Sequence, residues 1–376
     1  MPTIGIPKEF DRQETRISVT PDSVKKLSYL EGVEVLIEKG LGQSIQVQDG
    51  DFEKAGALIT EREKVLSSDY IFQISTLSKE VLGEFKKGST LIGCLDPYNQ
   101  RELINECAFN GVDAVSMEMI PRTTRAQKMD VLSSQASIAG YAAVVVASEV
   151  SDKMFPMMMT PAGTISPARV FVIGAGVAGL QAIATAKRMG ARVDAFDTRP
   201  VVKEQVESLG AKFVEVDLGE TGQTKDGYAQ SLSEDQLARQ REAMKTQCAQ
   251  SDLVITTAQL FGRAAPKIIN EDILSAMKPG SVIVDLAAET GGNVVGSRPG
   301  EIIQMGNVSI VGASNFAGRY ARDASQMYAS NLCAFFSEFY SSESQNLSFD
   351  PNDEILAACY LVREGAVIHP SFNKSI

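Results

Sequence analysis

The chain of 376 residues has one histidine, His369, and five scattered cysteines, Cys94, Cys107, Cys248, Cys333 and Cys359. A single histidine excludes a metal site built on several imidazoles. An odd number of cysteines without metal-ligand spacing is no disulfide framework, so buried free thiols are expected. His369 follows the last expected helix and sits beside Pro370, a poor place for a proton-transfer group. Positive charge is short as well. The 36 Lys and Arg against 47 Asp and Glu leave a net charge of −11 with no basic cluster, which argues against nucleic acid as a partner. No charge-free apolar run reaches the roughly 20 residues that span a bilayer, so direct membrane insertion is not expected. The opening Met-Pro-Thr-Ile-Gly-Ile-Pro-Lys-Glu has charges where a secretory signal needs an apolar core, and a cytoplasmic protein is expected. With 44% hydrophobic and 22% charged residues the composition is globular, and the length suits two domains.

What the chain does have is the stretch 170–179, Val-Phe-Val-Ile-Gly-Ala-Gly-Val-Ala-Gly. A β-branched apolar run ends in Gly-x-Gly-x-x-Gly, a helical pattern follows to Met189, and a second apolar run ends in Asp197, 23 residues after Gly174. That order is the one a dinucleotide-binding βαβ unit requires. Gly174 allows the tight turn, Gly176 lets a pyrophosphate approach the backbone, and Gly179 lets the helix pack closely. The pyrophosphate would sit on the free N–H groups of the helix N-terminus, beginning at Val177. An acid at the end of the second strand accepts hydrogen bonds from the ribose hydroxyls and repels a 2′-phosphate, so Asp197 favours NAD(H) over NADP(H). Arg199 is the one neighbour that argues the other way. The candidate cofactor-binding residues are thus Gly174, Gly176, Val177, Gly179, Asp197, Thr198 and Arg199, with Ala258 after a later strand.

The remaining pattern is α/β. Apolar runs at 3–6, 33–37, 57–59, 69–74, 90–94 and 114–116 read as strands between helices, implying a parallel sheet without a glycine fingerprint. Residues 133–150 read as one long helix, and 154–164 as a helix-breaking loop whose Met157, Met158 and Met159 read as gap-filling core in preference to a flexible contact surface. Further strands are expected at 212–216, 253–256, 281–285 and 308–311, then a helix at 323–338, a Ser- and Asn-rich linker at 341–353 and a last helix at 354–363. The tail is expected to pack back on the first domain. The expected architecture is therefore two Rossmann-like parallel-sheet domains, 1–135 plus 316–376 and 136–315, joined by long helices with an interdomain cleft. The segment 217–234, with three glycines and Tyr228 as its large aromatic, reads either as a lid over a bound nicotinamide or as a solvated excursion.

Several strings are specific. Pro-Arg-Thr-Thr-Arg-Ala-Gln-Lys-Met-Asp-Val-Leu-Ser-Ser-Gln at 121–135, Phe-Pro-Met-Met-Met-Thr at 155–160, Gly-Leu-Gln-Ala-Ile-Ala-Thr-Ala-Lys-Arg at 179–188, Lys-Glu-Gln-Val-Glu-Ser-Leu-Gly at 203–210 and Met-Lys-Pro-Gly-Ser-Val-Ile-Val-Asp-Leu-Ala at 277–287 resemble the NAD(H)-binding component, domain I, of the proton-translocating transhydrogenases. The opening Ile-Gly-Ile-Pro-Lys-Glu with Arg16 and Thr20-Pro21 is similar to the related alanine dehydrogenases. The resemblance covers almost the whole chain. It implies the Si-specific/Re-specific, proton-pumping class of NAD(P)+ transhydrogenase. Hydride would pass between NAD(H) on this chain and NADP(H) on a partner component, coupled to a membrane-spanning component. It further implies a homodimer, attached peripherally to the inner membrane through its partners. Carried over by position, Arg122, Gln127 and Asp130 would hold the nicotinamide and its ribose, with Ser133 beside them. Tyr228, preceded by Gly227, would belong to a mobile loop. The alternative, an alanine-dehydrogenase-like amino-acid dehydrogenase, would need a lysine and a histidine at positions that fall here on Ser75 and Asp96.

Overall fold

Short apolar runs alternating with helices build two units in this computed structural model, which describes residues 1–219, 221–222 and 232–373. One unit comprises Met1–Gln135 with Gly318–Ile376, the other Ala136–Ala317. In chain order the first holds β1 (Thr3–Ile6), β2 (Glu34–Glu38), β3 (Leu58–Thr60), β4 (Tyr70–Phe72), β5 (Thr90–Gly93) and β6 (Asp113–Ser116). The second holds the hairpin β7 (Met158–Thr160) and β8 (Gly163–Ile165), then β9 (Arg169–Ile173), β10 (Arg192–Phe196), β11 (Lys212–Phe213), β12 (Leu253–Thr256), β13 (Val282–Asp285), β14 (Ile302–Met305) and β15 (Val308–Gly312). The chain returns to the first unit through the helix Ala321–Phe339, the short hairpin β16 (Tyr340–Ser341) and β17 (Asn346–Leu347), and finally β18 (Tyr360–Arg363) and β19 (Ala366–Val367).

The first sheet runs β19-β18-β6-β5-β4-β1-β2-β3 and the second β11-β10-β9-β12-β13-β15-β14. Both cores are parallel, and their central strands are buried along their whole length, as at Tyr70–Phe72 and Val282–Asp285. Each sheet reverses its strand order once, between β1 and β4 in the first and between β9 and β12 in the second. Such a switch point opens a crevice at the C-terminal ends of the strands. In the first unit the helix Ala321–Phe339 lies on the sheet. Phe336 meets Tyr70 edge-on at 5.0 Å and Phe72 at 5.5 Å, and burying such a ring contributes roughly 2–3 kcal/mol.

The structure departs from the sequence reading in several places. Both sheets are mixed rather than purely parallel. β14 pairs antiparallel with β15, and β18 antiparallel with β6. The last helix stops at Cys359, and Tyr360–Arg363 extends as β18, because the edge of β6 offers that segment a ladder. The linker at 341–353 begins with the hairpin of β16 and β17. Met157, Met158 and Met159 fill no core. They stand 59%, 40% and 74% exposed on the hairpin of β7 and β8, which is its own two-stranded sheet. The helix Val131–Val150 is long and apolar enough to cross a membrane by length and composition. Its apolar character has a packing reason within the second unit: Ala142, Ala143, Val144 and Ala147 are wholly buried, and Gly140 lies so near the Ala178 carbonyl that a Cβ there would come within 2.1 Å of it.

Candidate functional site

The glycine turn sits at the second sheet's switch point, leaving β9 and entering the helix Val177–Arg188. Gly174 has φ +96°, a left-handed conformation, and a Cβ on it would strike the Thr257 hydroxyl at 2.5 Å. A Cβ on Gly179 would come within 1.9 Å of the Gly174 carbonyl. Gly176 differs: nothing lies within 4 Å of where its Cβ would be. It is the N-cap of the helix and carries no side chain to satisfy the first N–H groups, beginning at Val177, which therefore face that space with the positive end of the helix dipole. This is a cradle for a phosphate group. The loop after β12 forms its other wall. Ala258 is fixed there by the buried Asn293, whose Oδ1 accepts the Ala258 N–H at 3.0 Å and whose Nδ2 donates to the Ala258 carbonyl at 2.8 Å. Asn293 was invisible to sequence reasoning, since no local motif marks it.

Asp197 follows β10 and is engaged on both oxygens. Its Oδ2 accepts the Ala175 N–H at 2.8 Å, tying the acid to the glycine turn. Arg199 donates to Oδ1 from its backbone N–H and Nε, each at 2.9 Å, and to Oδ2 from its guanidinium at 2.8 Å. That fork raises the Arg199 pKa. Thr198 closes the turn: its carbonyl accepts the Thr221 hydroxyl at 2.7 Å. Tyr228 and Gly227 lie outside the described residues.

The residues Arg122, Gln127, Asp130 and Ser133 lie in the first unit, in a loop and the helix start that follows it. Ala126 and Met129 are buried and anchor the loop, while Arg122 and Gln127 are exposed. Two cations that sequence reasoning passed over bind it to the C-terminal part of the unit: Arg125 pairs with Glu338 of the return helix at 3.2 Å and with Asp353, the N-cap of the helix Glu354–Cys359, at 2.6 Å, and Lys128 pairs with Glu338 at 2.7 Å. Asp130 has a structural task. Its carboxylate accepts the Ser133 N–H at 2.8 Å and hydroxyl at 2.6 Å, capping the helix Val131–Val150.

At the C-terminal edge of the first sheet the polar side chains bond within their own unit. Glu9, just past β1, accepts the N–H groups of Ile74 and Ser75 and the Ser75 hydroxyl at 2.7–3.0 Å, and burial pushes its carboxyl up to about 7. Arg16 is forked by Glu14 at 2.6–2.9 Å and donates to the Gln135 Oε1 at 2.8 Å. The Asp96 N–H is held by the buried Glu118 at 2.5 Å, and its carboxylate accepts Asn99. Ser75 is a hydroxyl and Asp96 an acid, so neither supplies an amine or imidazole to this crevice. His369 is buried, with its Nδ1 accepting the Ser371 N–H at 3.2 Å. Burial raises the thiols, Cys333 to about 11, so they are poor nucleophiles. Among the described residues no cluster of His, Cys, Asp and Glu fits a metal ion. Concavities of about 540 and 390 Å3 lie at the N-terminal ends of β4 and β5, lined by Gly88, Thr90 and Asn346. That edge is opposite the one where parallel sheets bind ligands, and it touches neither the glycine turn nor the 121–133 loop.

A glycine turn with an open cradle at a switch point, followed by an acid on the next strand, defines a dinucleotide-binding α/β protein. The particular family follows from comparison. Residues 5–139 match the alanine dehydrogenase/PNT N-terminal domain and residues 143–370 the alanine dehydrogenase/PNT C-terminal domain, and the chain belongs to this family of NAD-binding oxidoreductases. It is 42% identical to an NAD(P) transhydrogenase subunit alpha of Rhodospirillum rubrum, over 98% of both chains. It is 38% identical to NAD(P) transhydrogenase subunit alpha of Haemophilus influenzae, over 98% of this chain and 72% of that one. Alanine dehydrogenase of Mycolicibacterium smegmatis is more distant, 29% identical over 79% of this chain and 75% of that protein. Among solved structures, a transhydrogenase from Sinorhizobium meliloti superposes with a TM-score of 0.85 at 42% identity, covering 98% of this chain and 99% of that one.

Proposed function

We propose that the chain is the NAD(H)-binding component of a proton-translocating transhydrogenase. In this reading it exchanges hydride directly with NADP(H) held on a partner component, and a membrane-spanning component couples that exchange to proton movement. The bound nicotinamide supplies the hydride chemistry, and this chain's residues bind, orient and shield. The N–H groups at the start of the helix Val177–Arg188 hold the pyrophosphate above Gly176. Asp197 and Thr198 take the adenosine ribose. Arg122, Gln127 and Asp130, with Ser133, orient the nicotinamide carboxamide and its ribose through hydrogen bonds. Direct exchange between two such rings requires alignment at about 3–3.5 Å and exclusion of water, with no proton donor or acceptor from the protein. The chain works as a homodimer, on the cytoplasmic side of the inner membrane, attached through its partners.

The observation that carries this reading is the open cradle at Gly176 in a chain 42% identical, end to end, to a transhydrogenase subunit. The dehydrogenase alternative is opposed by Ser75 and Asp96, which provide neither lysine nor histidine, and by Arg16, whose charge is already met by Glu14. The test is reconstitution with an NADP-binding component and a membrane component. NADH should then reduce an NAD analogue through bound NADP(H), and Arg122→Ala should slow this by roughly tenfold or more, the loss of one charge-assisted positioning contact. Wild-type rates in that variant would remove Arg122 from the site. Alanine oxidation by the chain alone would restore the alternative.

A further inference from the structure

The acid expected to read the ribose is not a lone carboxylate. Arg199, two residues further on, is bound to it through three donors, and the side chains are 15% and 7% exposed. A guanidinium fork matches a phosphate as well as a carboxylate. The cation that a ribose 2′-phosphate would need is therefore already beside the turn, neutralised by the group that would repel that phosphate. We propose that Arg199 is a latent binding site for the 2′-phosphate of NADP(H), held shut by Asp197, so that removing one negative charge opens it. This rests on the reading that the glycine turn holds a dinucleotide.

The geometry says how the change would work. Asp197 makes four bonds with two oxygens: Oδ1 accepts the Arg199 N–H and Nε, and Oδ2 accepts the Arg199 guanidinium and the Ala175 N–H. Asparagine has one acceptor oxygen. If that oxygen keeps the Ala175 N–H, the amide NH2 is turned on two Arg199 donors, and the fork is broken. The arginine is then a partly buried cation whose fork is released from Asp197, and a phosphate can accept the donors so freed. Arg199 is also kept near the turn by its backbone, since the helical turn Pro200–Val202 begins at the next residue with the fixed φ of proline. The usual route to NADP(H) use, importing a cation, is unnecessary here. The specificity of the natural pair comes from a repulsive element, and the attractive one is already in place.

The test is calorimetric titration of the whole chain with NADH and with NADPH, for wild type, D197N, D197S and the double variant D197N/R199Q, with thermal melting to verify folding. D197S retains a hydroxyl acceptor and serves if D197N melts early. The expected result is an NADPH affinity roughly tenfold or more above wild type in the single variants, lost again in the double variant, in keeping with one charge-assisted fork gained and removed. Folded single variants that still bind NADH but bind NADPH no better than wild type overturn the proposal, as does a double variant that keeps the gain. Wild type that binds no NADH at all is a different failure, that of the dinucleotide reading itself.

Discussion

The two sheets reverse strand order at the same place, yet their crevices hold opposite things. In the second unit the strand before the switch point, β9, leads into three glycines and an open cradle of N–H groups. In the first unit the corresponding strand, β1, leads to Glu9, whose carboxylate accepts the N–H groups of Ile74 and Ser75 past β4. One crevice presents its N–H groups to the space above Gly176, and the other gives its N–H groups to a carboxyl of the same unit. Each unit also has an arginine two residues after an acid, forked by it with the same pattern of backbone N–H and Nε on one oxygen and guanidinium on the other: Glu14 with Arg16, and Asp197 with Arg199. The difference teaches that a common topology supplies the location of a site, while the side chains at the strand ends decide whether anything can enter.

The comparison can be broken at several points. The largest effect is expected at Glu14. Its side chain is 5% exposed and that of Arg16 is 14%, so Glu14→Ala leaves a buried guanidinium without its carboxylate and should cost about 3–5 kcal/mol. Urea unfolding measures this, and a loss near zero would mean that Arg16 finds another partner. The next effect is pH-dependent. Glu9 has a pKa of about 7 in the fold, above the 4.5 of the free group. The folded state thus holds a proton that the unfolded chain gives up. The contribution of this group to stability is fully present below about pH 4.5 and is lost as pH rises through about 7, by up to about 3 kcal/mol. Glu9→Gln should remove that slope, so the difference between the two unfolding profiles from pH 5 to 8 isolates it. The smallest effect is expected in the open crevice. Gly176 has φ −77° and free space around it, so Gly176→Ala should change the stability of the free chain by less than about 0.5 kcal/mol while weakening NADH binding. A large drop in melting temperature would show that the space is not there.

Much of the fold was legible because β-branched runs punctuated by glycine and polar residues are local signals, as at Thr3–Ile6, Arg169–Ile173 and Leu253–Thr256. What failed was decided at a distance. Tyr360–Arg363 follows a helix with no glycine or proline between them, and only the register of Tyr360 against Val115 makes it a strand. The three methionines read as core because they are apolar, yet they belong to a hairpin paired only with itself. At the site the glycine spacing and the acid after the next strand could be read from residue types. The partners could not: Asn293 behind Ala258, Glu9 under Ser75 and the Arg199 fork on Asp197 depend on which chain segments the fold brings together.

The cap on the helix Val131–Val150 has a consequence for experiment. Both oxygens of Asp130 are committed to Ser133, one to its amide and one to its hydroxyl. A nucleotide that draws on this carboxylate competes with the first turn of the helix, so its arrival should be written in the deuterium uptake of a single backbone amide. Occupancy could then be followed without a chromophore, a partner or turnover.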